Sequence, residues 1–334
     1  MRPSNKRLLF ISFIVLFAAL TSLYYNAPSS TYETLVAPDN ARRFTAPPEE
    51  IEHLPEKFNP HLIDPFGLAI HDGNVYVLDY GDHKIKRFDR NGNFLASIGE
   101  GKGQAPGQIQ QMGIFDVHND TVWIADDWGR TVLSFDTTGK HLDSFKIRHN
   151  ANGIVALETR LIIMSFGKDL FREYRRNGAL VTSFGQVISS QVRDLLSVDG
   201  KIAADPGRTS HVFSPTYASY LYRIENGEIV QTDKTIDGQD YPRSEQIGNN
   251  MVRPPSPPIK YRDLSIHNGI VYVLTQFMAN DEPKSNFTIL DKYALDDFEY
   301  VESIKIPHQT HFAKVYENKL YTMSHSTFAI YNMD

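Results

Sequence analysis

With 334 residues the chain could hold two ordinary domains or one repeat architecture, and a hydrophobic fraction of 41% with 17 Tyr and 20 Phe marks a folded, sheet-rich protein. A net charge of −6, with acids and bases interspersed, leaves no electrostatic footprint for a polyanion and excludes a nucleic-acid partner. There is no cysteine, which excludes disulfides, thiolate metal sites, a cysteine nucleophile and a lipid-bearing cysteine.

The chain opens with Arg2, Lys6 and Arg7, followed by an uncharged and almost wholly apolar run from Leu8 to Tyr25. As a helix that run is about 27 Å long, close to the thickness of a bilayer core. The next basic residue is Arg42, so the charge bias leaves the N-terminus cytoplasmic and everything after Asn26 outside. Residues 1–27 are therefore expected to be a transmembrane anchor or signal helix, with the remainder periplasmic or extracellular. Cleavage and secretion is the alternative, but a cut after Ala27 places Tyr25 three residues before it and Pro28 just beyond. Residues 28–63, rich in Ser, Thr, Pro and Glu, read as a linker that also holds a ring-closing strand.

From residue 64 the sequence repeats. Phe66-Gly-Leu-Ala-Ile-His-Asp-Gly-Asn-Val-Tyr-Val-Leu-Asp79 returns as Gly113-Ile-Phe-Asp-Val-His-Asn-Asp-Thr-Val-Trp-Ile-Ala-Asp126. Each copy is a short apolar strand, a turn and a second strand of β-branched and aromatic residues. A second hairpin follows each, turning at Asn91-Gly92 and Thr138-Gly139. Weaker copies start at Asn152, Arg193 (turning at Asp199-Gly200), Arg262 and His311. Six starts with four strands per unit give an all-β, six-bladed β-propeller of four-stranded antiparallel blades over residues 64–334. The last unit has only three strands before the chain ends, so an N-terminal strand must complete it. Tyr32–Val36 has the best alternation and Arg42–Thr45 the second best.

The stretch Gly99 to Asp126, with Gly103 and Pro106-Gly107-Gln108 leading into the inner hairpin, resembles the linker and strand pattern of NHL repeats. The tail Asp79-Tyr-Gly-Asp-His-Lys-Ile-Lys-Arg-Phe88 is similar to the second hairpin of the same repeat. The resemblance covers about Asp64 to Ile147 and implies an extracytoplasmic six-bladed module. It implies no activity, because this fold hosts binding scaffolds, lyases and lactonases.

The chemical candidates are few. Gly99-Glu-Gly-Lys-Gly103 is not a phosphate loop, since no Gly-Lys-Ser/Thr follows and no helix opens there. Asp79, Asp126 and Asp205 recur at one position of the repeat, the end of the second strand, where Asp accepts backbone N–H groups. Of His308 and His311 only His311 falls at a unit start, and a catalytic zinc needs about three protein ligands, so no metal and no cofactor is expected.

What remains is the ring of unit starts, where Arg193, Arg262 and His311 come from three consecutive blades and Asn152 from the one before. Two guanidinium groups in a shared cleft suit a small anion or carboxylate, although ion pairing of Arg193 with Asp194 or Asp263 would make the cluster structural. Two functions follow: a ligand- or protein-binding scaffold held at the membrane, or a hydrolase or lyase at the channel mouth with His311 as base.

Overall fold

Paired positive dihedrals set the local structure. Asp72-Gly73, Asn119-Asp120 and Asn268-Gly269 hold both turn residues in the left-handed region, at φ 48° and 70°, 47° and 53°, and 48° and 71°. Asp, Asn and Gly tolerate that region, and the resulting two-residue turn has the twist that antiparallel strands need.

The computed structural model describes residues 42–53, 60–126, 129–167, 169–187, 198–205, 207, 209–241, 245–247, 250–252, 259–279, 282–283, 285–324 and 327–333. In chain order, β1 (Glu49–His53) precedes blade one: β2 (Pro65–His71), β3 (Asn74–Asp79), β4 (Lys84–Phe88) and β5 (Phe94–Ile98). Blade two is β6 (Met112–His118), β7 (Thr121–Asp126), β8 (Thr131–Asp136) and β9 (His141–Lys146). Blade three is β10 (Gly153–Ala156), β11 (Arg160–Met164), β12 (Phe171–Arg175) and β13 (Leu180–Phe184). Blade four is β14 (Gly200–Ala204), β15 (His211–Pro215), β16 (Tyr220–Glu225) and β17 (Glu228–Lys234). A small hairpin, β18 (Glu245–Ile247) and β19 (Asn250–Val252), follows it. Blade five is β20 (Ile259–His267), β21 (Ile270–Ala279), β23 (Thr288–Ala294) and β24 (Tyr300–Ile306), with β22 (Glu282–Pro283) folded back on β21. Blade six is β25 (Phe312–Tyr316), β26 (Lys319–Met323) and β27 (Phe328–Asn332), with β1 paired to β27 as its fourth strand. The fold is thus a six-bladed propeller of four-stranded antiparallel blades.

The core is distributed over the seams. Six clusters of buried apolar side chains each join two neighbouring blades. At the closing seam Leu68, Val75, Val77 and Phe88 of blade one meet Tyr321, Met323, Phe328 and Ile330 of blade six. Burying one such side chain contributes about 1.5–3 kcal/mol, and none of these faces can be buried without its neighbour.

Two expectations need correction. The ring is closed by Glu49–His53, with Glu49 opposite Asn332 and His53 opposite Ala329, downstream of both segments that alternation favours. Tyr32–Val36 lies outside the described residues; Arg42–Thr45 runs instead along β24 of blade five, where Thr45 N–H donates to Ser303 O and Ser303 N–H to Arg43 O. In blade four the turn is not Asp199-Gly200. Gly200 opens the inner strand, and a Cβ there would stand 2.4 Å from Ser214 O, so the glycine serves a close backbone approach. Asp205 consequently follows the first strand rather than the second, where it accepts the N–H groups of Gly207 at 3.0 Å and Ser210 at 2.6 Å.

The other two recurrent aspartates do cap turns at one repeat position. Asp79 accepts N–H groups from Ile63, Asp64 and Gly81 at 2.8, 2.8 and 2.9 Å, and Asp126 accepts those of Gln110, Gln111 and Gly129 at 2.9, 3.1 and 2.9 Å. The N-terminal anchor or signal helix lies outside the described residues; among those described, no helix is long and apolar enough to cross a membrane.

The strap that carries β1 begins at a buried ion cluster. Arg42, with its side chain fully buried, donates to Asp237 at 2.6 Å and to both oxygens of Asp291 at 3.0 and 2.9 Å, with its guanidinium 5.0 Å from the Phe277 ring centre. Thr275 and Ser303 also donate to Asp291, and Tyr261 to Asp237. Burial alone would lower the Arg42 pKa, but the two carboxylates facing it raise it. One cation serves two acids, and burial pushes Asp237 up to about 6 against the pull of Arg42, with the charge of Asp291 adding to the rise.

Replacing Arg42 leaves both acids buried without their cation, so Arg42→Ala should lower unfolding stability by about 3–5 kcal/mol in urea titration. A pKa raised in the folded state adds stability below the ordinary carboxyl value of 3.8 that is lost as pH rises through about 6. Relative to Asp237→Asn, the wild type should therefore gain stability from pH 7 to 4, and parallel pH profiles would contradict this.

Candidate functional site at the central channel

The six inner strands β2, β6, β10, β14, β20 and β25 enclose a channel of about 240 Å³. Its wall mixes apolar side chains, such as Leu68, Ile154 and Val315, with polar ones, such as Asp116, His118 and Lys314. Carboxylates on the inner strands stitch blades together. Asp116 on β6 accepts the N–H of Ala156 on β10 at 2.8 Å. Asp263 on β20 accepts the N–H of Ala313 at 2.9 Å and the Lys314 ammonium on β25 at 2.7 Å. Each closes an inner-strand amide that no ladder partner reaches.

At the mouth where the inner strands begin, the repeat positions read from sequence share one geometry. Phe66, Gly113 and Arg262 are the extra residues of register shifts between Pro65 and Gly67, Met112 and Ile114, and Tyr261 and Asp263. Asn152 and His311 form a similar two-against-one arrangement. Their N–H groups donate to Met164 O and Met323 O, whose residues already oppose Gly153 and Phe312. A bulge of this kind re-aims a side chain and is enriched near functional sites.

Arg262 sits at the bulge of β20 and His311 just before β25, on adjacent inner strands, while Asn152 precedes β10 across the ring; Arg193 lies outside the described residues. Arg262 donates from Nε to Gln276 Oε1 at 2.6 Å. Gln276 in turn donates to Gln309, whose amide reaches the Ser285 carbonyl. This amide chain orients the guanidinium without neutralising it. Burial lowers the Arg262 pKa and only Tyr217 opposes that, with no carboxylate among its described neighbours. Asp263, the adjacent acid, is committed to Lys314 on the other side of the strand. His308 sits inside blade six, with Nδ1 3.0 Å from the Tyr331 hydroxyl.

The opposite mouth carries a constellation that the sequence reading passed over. His71, His118 and His267 are each the last residue of an inner strand, on blades one, two and five. The first two rings lie 6.4 Å apart, and His118 Nε2 stands 3.4 Å from Glu158 on the turn of the next blade. Burial lowers the pKa of His267, opposed by Glu317 of blade six. The signal was present as His-Asp-Gly, His-Asn-Asp and His-Asn-Gly, three imidazoles immediately before three equivalent turns. Among the described residues no group of three or more His, Asp or Glu side chains is arranged to hold a metal ion.

No protein-family profile matches the chain, and no curated protein sequence matches it. In fold it is similar to a DUF4221 member from Bacteroides vulgatus, at 10% identity and a TM-score of 0.58, over 89% of this chain and 97% of that one. It is also similar to a Bacteroides fragilis protein described as exported, at 13% identity and 0.54, over 86% and 85% of the two chains. A streptogramin B lyase matches at 11% identity and 0.53, over 82% and 95%. Identities this low show a shared propeller architecture, which fixes no activity.

The Asp263–Lys314 stitch gives a direct test of how the mouth is held. Lys314→Met leaves a buried carboxylate with a backbone amide as its remaining partner and should cost about 1–3 kcal/mol in urea titration. An unchanged midpoint would show that the pair contributes nothing to the channel wall.

Proposed function

We propose that this protein is an NHL-like propeller held outside the cytoplasm by residues 1–27, a binding scaffold that takes a small anionic or carboxylate-bearing ligand where its inner strands begin. The observation that carries the reading is Arg262. It is half-buried on a bulge, fixed through Nε by a neutral amide, and faces no carboxylate among the described residues. A guanidinium oriented this way keeps its two Nη groups for a ligand, and its fork matches a carboxylate. His311 on the neighbouring strand, Asn152 across the ring and Arg193 complete the proposed set. The exported relative in fold is in keeping with the compartment, as is the charge pattern around the apolar N-terminal run.

Titrating citrate and acetate against the wild type and Arg262→Ala by calorimetry tests the site. Loss of Arg262 should weaken citrate binding by about tenfold or more, equivalent to ~1.4 kcal/mol; equal affinities in the two proteins would end the assignment. For the tether, the full-length protein expressed in a bacterium should stay in the membrane pellet after carbonate extraction. A soluble product beginning near Ala27 would instead show a cleaved signal.

A further inference from the structure

A second basic site stands apart from the channel. Between blades two and three, on the face where inner strands begin, a pocket of about 320 Å³ is lined by Arg130, Arg148, His149, Asn150 and Phe166. It exists because the connection there is short. Only residues 147–152 separate β9 from β10. At the preceding seam, residues 99–111 fold into a loop pinned by Glu100 N–H to Gly107 O at 2.9 Å and Ile109 N–H to Gly101 O at 3.0 Å. Among the described residues the second seam has no such cover, and its connection presents Arg148, His149 and Asn150 as exposed side chains.

Among the described residues the charge in this pocket is one-sided. Arg130 donates from Nε to Asn150 Oδ1 at 3.0 Å, a neutral amide again orienting a guanidinium. Behind the lining, Arg172 on β12, only 8% exposed and electrostatically coupled to His149, has a buried Nη1 with no hydrogen-bond partner among the described residues. Burial lowers the His149 pKa, and Arg172, Arg130 and Arg148 lower it further, with no carboxylate among the described residues opposing them. Gly167 makes room for this arrangement, since a Cβ there would lie 3.3 Å from Arg172 Nη2. Three guanidinium groups around one imidazole repel each other, and a bound anion is the group that relieves the repulsion. The planar forks suit tetrahedral oxyanions, and the Phe166 ring gives the pocket one apolar wall.

We propose that this pocket binds a phosphate monoester group, with the guanidinium groups of Arg130 and Arg148 on the phosphate oxygens and the organic part of the ligand against Phe166. The site is independent of the Arg262 reading, because it uses different blades and different side chains. An incoming dianion offsets the three positive charges around His149, so binding raises that histidine's pKa.

The test follows the His149 ring resonances by NMR while the full chain, held in phosphatidylcholine nanodiscs, is titrated with inorganic phosphate, phenyl phosphate or phosphatidic acid vesicles. Saturation with phenyl phosphate should raise the His149 pKa by about one unit. Arg148→Gln, at an exposed position and expected to keep the wild-type circular dichroism spectrum, should weaken that response about tenfold. Arg262→Ala should leave it unchanged, which keeps failure of this site distinct from failure of the channel site. The weaker response expected to inorganic phosphate shows that the organic part contributes, and preferential saturation by the vesicles would place the phosphate on a lipid headgroup. No His149 response to any of the three probes, or an equal response in Arg148→Gln, overturns the proposal.

Discussion

Closure of the ring by a strand borrowed from the other end of the chain is the constraint on which the rest of the structure depends. Each blade buries its faces only against its neighbours, so an open ring would expose the apolar surfaces of two blades at once. Here two devices close it. The apolar seam of Leu68, Val77 and Phe88 against Tyr321, Phe328 and Ile330 packs blade one on blade six, and β1 completes the ladder outside β27. The strap does more than supply that strand. Arg42 is buried against Asp237 after blade four and Asp291 in blade five; Arg43 and Thr45 then bond along β24 before Glu49 reaches β27. One short segment therefore fastens the last three blades, and the side chain that fixes its start is charged. A buried cation that requires two specific carboxylates gives this segment one docking position, where an apolar residue would tolerate several.

How far the fold was legible follows from where its chemistry is local. Turns that need two left-handed residues are restricted to Asn, Asp and Gly, so the hairpins at Asp72-Gly73, Asn119-Asp120 and Asn268-Gly269 could be read directly and the six units counted from them. Asp199-Gly200 misled because the same dipeptide has a second cause: the missing side chain of Gly200 admits the Ser214 carbonyl, which is a tertiary fact. The closing strand was missed for a related reason. Alternating apolar residues mark a strand with one buried face, whereas Glu49-Glu-Ile-Glu-His53 is the outermost strand of its blade. Charge at such a position discourages pairing with another chain, and it removes the pattern by which a strand is recognised.

The candidate sites divide along the same line. Arg262 and His311 could be found because counting back from the turns leads to the bulged positions. The three histidines at the other mouth were equally regular in sequence, but attention to the beginnings of strands overlooked their ends. The pocket of Arg130, Arg148 and Phe166 had no comparable signal. Its members come from a turn in blade two, the connection after it and the β11–β12 connection in blade three, and only the shortness of residues 147–152 brings them together.

The recurring bulge explains why one face of this propeller can hold a residue such as Arg262. Where a strand gains a residue, the ladder fixes the backbone on either side while the extra side chain is freed from pairing, so its identity costs the fold little. Blade one fills that position with Phe66, blade two with Gly113 and blade five with Arg262, and all three blades keep the same register around it. The turn residues at the opposite mouth have no such freedom, because left-handed φ limits them to a few types, two of which are Asp and Asn. That restriction draws acids such as Asp72 and Asp120 to one mouth. The bulged mouth is unrestricted and can keep arginine.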